Sequence, residues 1–182
     1  MSWTQVYACC AGLDRIALYP QAAHELSSKK RPTTKRRVSA RKSPIHGTGV
    51  FALVPIKKGA RIIEYKGERR LWTEASEDYP DAGPGEMEHT FLFEIDEDFV
   101  IDANIGGNSS RWINHSCKPN CETIDEEGRI FIESIRDIKA GEELFFDYNI
   151  QLDEPHNAKA KKRFPCFCGN RNCRGTLVGK KG

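Results

Sequence analysis

Asn114-His115-Ser116-Cys117-Lys118-Pro119-Asn120, answered about fifty residues later by Cys166-Phe167-Cys168 and Cys173, is the stretch on which the reading of this chain turns. Three cysteines spaced Cys-x-Cys-x4-Cys leave a tetrahedral zinc site one donor short, because a closed structural site takes four ligands. The fourth thiolate must come from elsewhere. Cys117 is the first candidate and Cys121 its one rival; Cys166, Cys168 and Cys173 stand in either case. With Cys117 as the ligand, folding pins the C-terminal tail onto the Asn-His turn and roofs whatever chemistry happens there. Seven cysteines also raise the possibility of disulfides, but the odd number and the tight cluster favour metal. Four thiolates leave no open position for water, so the zinc is expected to be structural. Cys9 and Cys10 are adjacent and read as incidental thiols.

At 182 residues and 38% hydrophobic the chain has room for one ordinary domain with extensions. Met1 to Leu13 is uncharged, but it is too short to span a bilayer and lacks the features of a secretory signal. A soluble intracellular protein without membrane association is expected. The net charge of +2 hides an uneven distribution: eight basic and no acidic residues from Lys29 to Lys42, ten acidic and no basic residues from Leu71 to Asp98. The basic run reads as a nucleic-acid or nuclear-import patch, or as a solvated linker. The acidic block reads as a steering surface for a lysine-rich peptide, or as a hydrated insertion.

Working outward from the turn, short extended segments alternate with glycine-marked turns. Arg37 to Lys42, Gly49 to Val54, Ala60 to Tyr65, Thr90 to Ile95 and Phe99 to Ile101 carry strand chemistry. Glu122 to Ile124 and Arg129 to Ile135 flank Asp125-Glu126-Glu127-Gly128, a hairpin signal. Leu71 to Tyr79 reads as a short helix and Tyr79 to Gly85 as a loop. Gln151 to Phe164 reads as a flexible connection, and Met1 to Ser28 has no sustained period. The fold class is mainly β.

Four further motifs fall in order around the turn: Ile45-His46-Gly47-Thr48-Gly49-Val50-Phe51-Ala52, Glu64-Tyr65-Lys66-Gly67-Glu68, Gly107-Asn108-Ser109-Ser110-Arg111-Trp112-Ile113, and Gly141-Glu142-Glu143-Leu144-Phe145-Phe146-Asp147-Tyr148. Gly-x-Gly or Asp-Tyr alone occurs by chance in many proteins; all four in order, with the cysteine tail, form a pattern. From about Val38 to Leu177 that pattern resembles the SET-domain protein lysine methyltransferases with a zinc-binding post-SET tail. The resemblance implies a SET fold of several small curved sheets, with a pseudoknot that brings Asn114 and Tyr148 together, plus a short zinc-bound C-terminal lobe. It divides the chain into an N-terminal extension and basic linker (1–37), a SET domain (38–150), a connection (151–165) and a zinc lobe (166–182).

The resemblance implies a protein-lysine N-methyltransferase using S-adenosylmethionine, with histone or histone-like tails as the favoured substrate and a nuclear or chromatin-associated location. A non-histone substrate is the alternative within the same chemistry. A zinc-stapled module holding chromatin or nucleic acid through Lys29 to Lys42 is the alternative outside it; intact Tyr148, Asn114 and glycine-loop positions favour the enzyme. Carried over residue by residue, Tyr148 is catalytic, Tyr65 and Phe91 line the lysine channel, and Phe146 occupies the product-specificity position. Relatives often carry tyrosine at the Phe91 position, and core packing is the competing reading for Tyr65 and Phe91. The backbone amides of Gly47, Thr48 and Gly49 are expected to be exposed to the cofactor, with Asn114 meeting its amino-acid part. His115 presents backbone atoms to the adenine while its ring is held locally, and Phe167 and Leu177 cover the adenine. Arg111 is read as a structural partner for a carboxylate, Asp147 being the candidate.

Overall fold

Two extended segments separated by the glycine-containing loop pair first: β1 (Val38–Lys42) and β2 (Thr48–Ala52) are antiparallel, with Arg41 opposite Gly49. The computed structural model describes residues 36–79, 91–152 and 155–180. The readings made for Met1 to Ser28, for Lys29 to Lys35 and for the loop beyond Tyr79 lie outside these residues. Next come β3 (Arg61–Tyr65), β4 (Glu68–Leu71) and α1 (Trp72–Asp78), then β5 (Leu92–Glu94) and β6 (Phe99–Asp102). A single 3-10 turn, Ser109–Trp112, leads into β7 (Asn114–His115). After it follow β8 (Cys121–Glu126), β9 (Arg129–Ser134), β10 (Phe145–Phe146) and α2 (Ala158–Lys162). They form small sheets: β1–β2, β3–β9–β8, β4–β6–β5, and the parallel pair β7–β10.

The β8–β9 hairpin is longer than its sequence predicts. Glu126 pairs with Arg129, so only Glu127 and Gly128 make the turn, at φ of 56° and 77°. Two consecutive positive φ angles match the twist of antiparallel strands, which lets pairing run up to the turn itself. The Asp125 carboxylate accepts from Gly128 N at 2.8 Å and stiffens the corner.

β4 escapes a pattern-based reading because Glu-Arg-Arg-Leu has no apolar alternation and is largely exposed. It is held by cross-strand chemistry: Arg69 stacks over Phe99 at 4.3 Å, and Arg70 reaches the fully buried Asp102 at 3.3 Å and Asp78 at 2.6 Å. Tyr79 donates to the same Asp102 carboxylate at 2.9 Å, which docks α1 on β6. The 151–165 connection contains α2 rather than only flexible chain. Asn157 caps it by accepting from Ala160 N, Ala160 is buried, and Thr176 Oγ1 donates to Lys161 O and Phe164 O. One inward residue in Ala-Lys-Ala-Lys-Lys is too weak a stripe to declare a helix in advance.

Val50, Ile56, Ile113, Ile132, Ile138 and Leu144 form the centre of the core, each 2% exposed or less. Each such burial contributes roughly 1.5–3 kcal/mol. Ile113 and Leu144 immediately precede β7 and β10, so the core fixes where these two-residue strands meet. Around this body many cations are answered by carboxylates: Lys57 by Asp137, Arg61 by Glu126 and Glu133, Arg129 by Glu64, Arg136 by Glu142. Such surface pairs add little to stability in water. No helix among the described residues is long and apolar enough to cross a membrane.

Candidate active site

The parallel pair places Asn114 opposite Phe145 and His115 opposite Phe146, and the chain leaving β10 returns Tyr148 to the same place. Tyr148 N donates to His115 Nδ1 at 3.1 Å, and the Tyr148 hydroxyl donates to Ile113 O at 2.9 Å. Burial pushes the His115 imidazole down to about 4, against the opposing pull of Asp147. The ring is therefore neutral at physiological pH, with Nδ1 as acceptor and Nε2 directed to Cys117 Sγ at 3.4 Å. Burial also raises the Tyr148 phenol above its ordinary value, so it stays protonated.

An aromatic run extends from this point. Ring centroids lie 5.0 Å apart for Tyr148 and Phe146, 6.3 Å for Phe146 and Phe93, and 5.2 Å for Phe93 and Tyr65. The Tyr65 hydroxyl donates to Phe91 O at 3.1 Å, and Phe91 meets Trp112 edge-on at 4.7 Å. Phe91 has φ of 52°, an unusual conformation for a bulky residue and one that stores strain. Phe93 and Trp112 were missed by sequence reasoning; the spacing of Phe91 and Phe93 two residues apart was the available signal for the former.

The loop between β1 and β2 is organised by Ser43, which lies outside the quoted motifs, and by Glu143, which the fourth motif contains without an assigned role. Ser43 Oγ accepts from Ile45 N at 3.0 Å and donates to Glu143 Oε2 at 3.0 Å. Asn114 shares its two amide hydrogens among Glu143 Oε1, Thr48 O and His46 O, at 3.0, 3.0 and 3.2 Å. Of the three loop residues expected to present free amides, Gly47 is exposed at φ of 46°, Thr48 is half-buried and Gly49 is buried. Gly49 thus departs from the expectation: it is a paired strand residue, and a methyl group there would overlap the Glu143 carboxylate. Gly49→Ala is expected to cost roughly 1–3 kcal/mol, the range for overpacking. An unchanged urea midpoint would contradict this packing.

At the other side of the turn, the sulfurs of Cys117, Cys166, Cys168 and Cys173 lie within 4.8 Å of one another. Cys117 Sγ is 3.6 Å from Cys166 Sγ and 3.8 Å from Cys173 Sγ. A zinc tetrahedron with bonds of about 2.3 Å has sulfur–sulfur edges of about 3.8 Å, so the group fits structural zinc. Asn170 Nδ2 and Gly175 N point at Cys168 and Cys173 Sγ, at 3.4 and 3.3 Å, as donors to thiolates do. Cys121 does not join them; it is 1% exposed within the main core.

A second tie comes from Arg174, whose guanidinium takes both oxygens of Asp147 at 2.5 and 2.6 Å. Burial, the largest single influence, would raise the Asp147 carboxyl, but Arg174, the Asn149 amide and His115 together outweigh it and hold the group below its usual range. The expected Arg111–Asp147 pair is therefore replaced by Arg174–Asp147. Arg111 instead donates to Ala103 O at 3.0 Å and lies over the Trp112 and Phe91 rings. The 3-10 turn carrying Arg111 sends it back toward β6.

Between loop, turn and lobe lies a cleft of about 310 Å³, lined by Ile45, Ser116, Phe145, Cys168 and Asn170, with Lys118 and Arg136 also on its wall. Phe167 and Leu177, the residues expected to cover an adenine, are not in its lining. Leu177 is buried against Cys166 and Cys168 in the lobe, and Phe167 is 74% exposed. Alternation along β10 puts Phe145 in this cleft and Phe146 in the aromatic run, so one strand separates the two spaces.

The family model described as SET domain matches residues 47–149. The chain belongs to the SET-domain family. Within this SET span fall the strand β2, the β7–β10 pair and Tyr148, while Cys166, Cys168 and Cys173 lie beyond it. Among curated SET relatives, the human protein named histone-lysine N-methyltransferase SETD1B is 37% identical over 150 residues, covering 79% of this chain and 7% of that protein. The Drosophila melanogaster protein named histone-lysine N-methyltransferase trr is 39% identical over 175 residues, covering 92% of this chain and 7% of that protein. The chain spans less than a tenth of the length of either. A solved chain described as ctPRC2 in an autoinhibited conformation bound to S-adenosylmethionine is 38% identical, with a TM-score of 0.57, and covers 62% of this chain and 15% of that one.

Proposed function

We propose that this SET domain is a protein-lysine N-methyltransferase that uses S-adenosylmethionine and acts on histone-like tails. The observation that carries the reading is the one-strand partition at β10. Phe145 faces a cleft of small-molecule size, Phe146 faces an aromatic run, and Tyr148 follows two residues later with its hydroxyl buried. The names of the relatives, and the cofactor in the solved structure, support the same chemistry. Gly47 and Thr48, Asn114, the His115 backbone and the Cys168–Asn170 segment would hold the cofactor. Phe167 is exposed beside that segment and remains a candidate cover for the adenine.

When bound, the cofactor supplies a methyl group activated by its sulfonium. Transfer of that methyl to a lysine nitrogen would leave the carbon–sulfur electron pair on sulfur, and the amine proton would leave to water. An exposed lysine has a pKa near 10.4, so roughly one in a thousand is neutral at pH 7.4. Tyr65, Phe93, Phe146 and Tyr148 form walls that strip water from an entering ammonium and so favour the neutral amine. Tyr148 spends its proton on Ile113 O, which leaves its oxygen lone pairs to receive weak C–H contacts from the methyl group and orient the amine. Exposed Glu74, Glu77 and Asp78 of α1 and the Asp96-Glu97-Asp98 turn offer a negative approach for a basic tail. A histone substrate carries with it a nuclear location.

The test is transfer of isotopically labelled methyl to mixed histones and to a lysate. Histone labelling supports the full proposal, whereas lysate labelling alone keeps the chemistry and moves the substrate elsewhere. No labelling by folded, zinc-loaded protein overturns it.

Phe146 has no hydroxyl with which to hold a water or crowd a partly methylated amine, so di- and trimethylation are expected. Phe146→Tyr is expected to shift the product toward monomethyl-lysine. Mass spectrometry of the peptide product checks this, and an unchanged distribution would remove Phe146 from the specificity role.

A further inference from the structure

We propose that the C-terminal lobe binds duplex nucleic acid along its phosphates, through a lysine face built by α2 and the tail that packs against it. The proposal concerns a surface separate from the methyl-transfer site and does not depend on that reading.

Residues 155–180 contain seven lysines and arginines and no acidic residue. Arg174 is turned inward to Asp147. Lys159, Lys161, Lys162, Arg171 and Lys180 are exposed, and none has an ion-pair partner among the described residues. In the β body the two signs are interspersed: Arg61, Arg70, Arg129 and Arg136 each face a carboxylate within 3.3 Å, although exposed Lys42, Lys58, Lys118 and Lys139 have no ion-pair partner among the described residues. A merely solvated surface would be expected to mix signs as the body does. Over residues 155–180 the lobe keeps one sign, and its exposed lysines have no carboxylate partner among the described residues.

Packing gathers these charges. Buried Ala160 fixes the inward side of α2, and at about 100° per residue Lys159, Lys161 and Lys162 take the three outward directions. Thr176 Oγ1 grips the Lys161 and Phe164 carbonyls. His156 Nδ1 lies 3.2 Å from Gly179 O, which brings Lys180 beside the start of the helix. The result is a compact set of lysine charges held on ordered backbone.

The chemistry of this face selects the partner. Protein interfaces draw their affinity from buried aromatic or arginine anchors, and Ala-Lys-Ala-Lys-Lys offers none. Single strands are held by stacking on interleaved aromatic rings, also absent from α2. Point charges without apolar anchors suit a phosphate backbone, where release of counterions drives binding and base sequence is not read.

The experiment uses the full chain and two short fluorescent duplexes of unrelated sequence, with anisotropy followed over a salt titration. Lys159→Gln, Lys161→Gln, Lys162→Gln and Lys180→Gln are combined, and a second variant replaces the same lysines by arginine. The glutamine variant is expected to lose at least about tenfold in affinity for both duplexes, and its log–log salt slope to fall by roughly 3–4, at about 0.9 per phosphate contact. Zinc content and thermal midpoint should stay at wild-type values, and the arginine variant should keep its affinity. A glutamine variant that binds like wild type overturns the proposal. So does a loss seen only when the lysines and arginines between Lys29 and Arg37 are neutralised, a preference for single strands, or displacement of duplex by polyglutamate at equal charge.

Discussion

Tyr148→Phe is expected to remove methyl transfer while leaving the fold and cofactor affinity near wild type. The hydroxyl makes one hydrogen bond, to Ile113 O, whose loss costs on the order of 1 kcal/mol of stability. The ring itself stays packed between Phe146 and His115. Transfer is expected to suffer far more: of the two hydroxyls in the aromatic wall, those of Tyr65 and Tyr148, only the second comes just after β10, and losing a preorganised polar contact at the proposed reacting centre lowers rates on the order of 10²–10³. Single-turnover transfer to histones and calorimetric binding of S-adenosylhomocysteine separate the two effects. A variant within a few-fold of wild-type turnover would assign Tyr148 to packing alone.

Removal of the metal is expected to be nearly as damaging, by a different route. Cys173→Ser, or a strong chelator, should release zinc and with it the lobe, since apparent zinc affinities in small thiolate sites are on the order of 10–16 kcal/mol and the free energy of binding is free energy of folding. The Arg174–Asp147 pair is partly exposed and too weak to hold the lobe alone. Cys168 and Asn170 would leave the cleft wall, so cofactor affinity should fall at least about tenfold, while the core around Ile132 and Leu144 keeps the β body folded. Elemental analysis with calorimetry checks this; undiminished cofactor binding by zinc-free protein would detach the lobe from the site.

What could be read in advance follows from how local each signal is. The Cys-x-Cys-x4-Cys spacing, the hairpin and the motif order are short-range patterns, and they led to the mainly β SET architecture. The choice between Cys117 and Cys121 was not local: both lie near the turn, and only the pairing of β8 with β9 draws Cys121 into the core. Arg111 was assigned to Asp147 because sequence carries charge without direction, whereas the 3-10 turn aims it at Ala103. The pairing of Ser43 with Glu143 was invisible for the same reason, the two being 100 residues apart in sequence. β4 and α2 lack apolar periodicity and owe their existence to Asp102, Phe99 and Thr176, which belong to other elements.

That separation between Ser43 and Glu143 has a bearing on synthesis. The glycine loop is among the first described parts of the chain to leave the ribosome, yet its braces at Asn114 and Glu143 emerge much later, and Cys173 later still. Pairings that span so much chain form slowly, because the loops they close must be ordered before the contacts repay it. Until Asn114 and Glu143 have emerged, the segments of β1 and β2 lack the braces of the loop between them, and the four-sulfur group is complete only once Cys173 follows. A zinc supply that lags translation would delay the last of these steps, leaving a folded body awaiting its lobe.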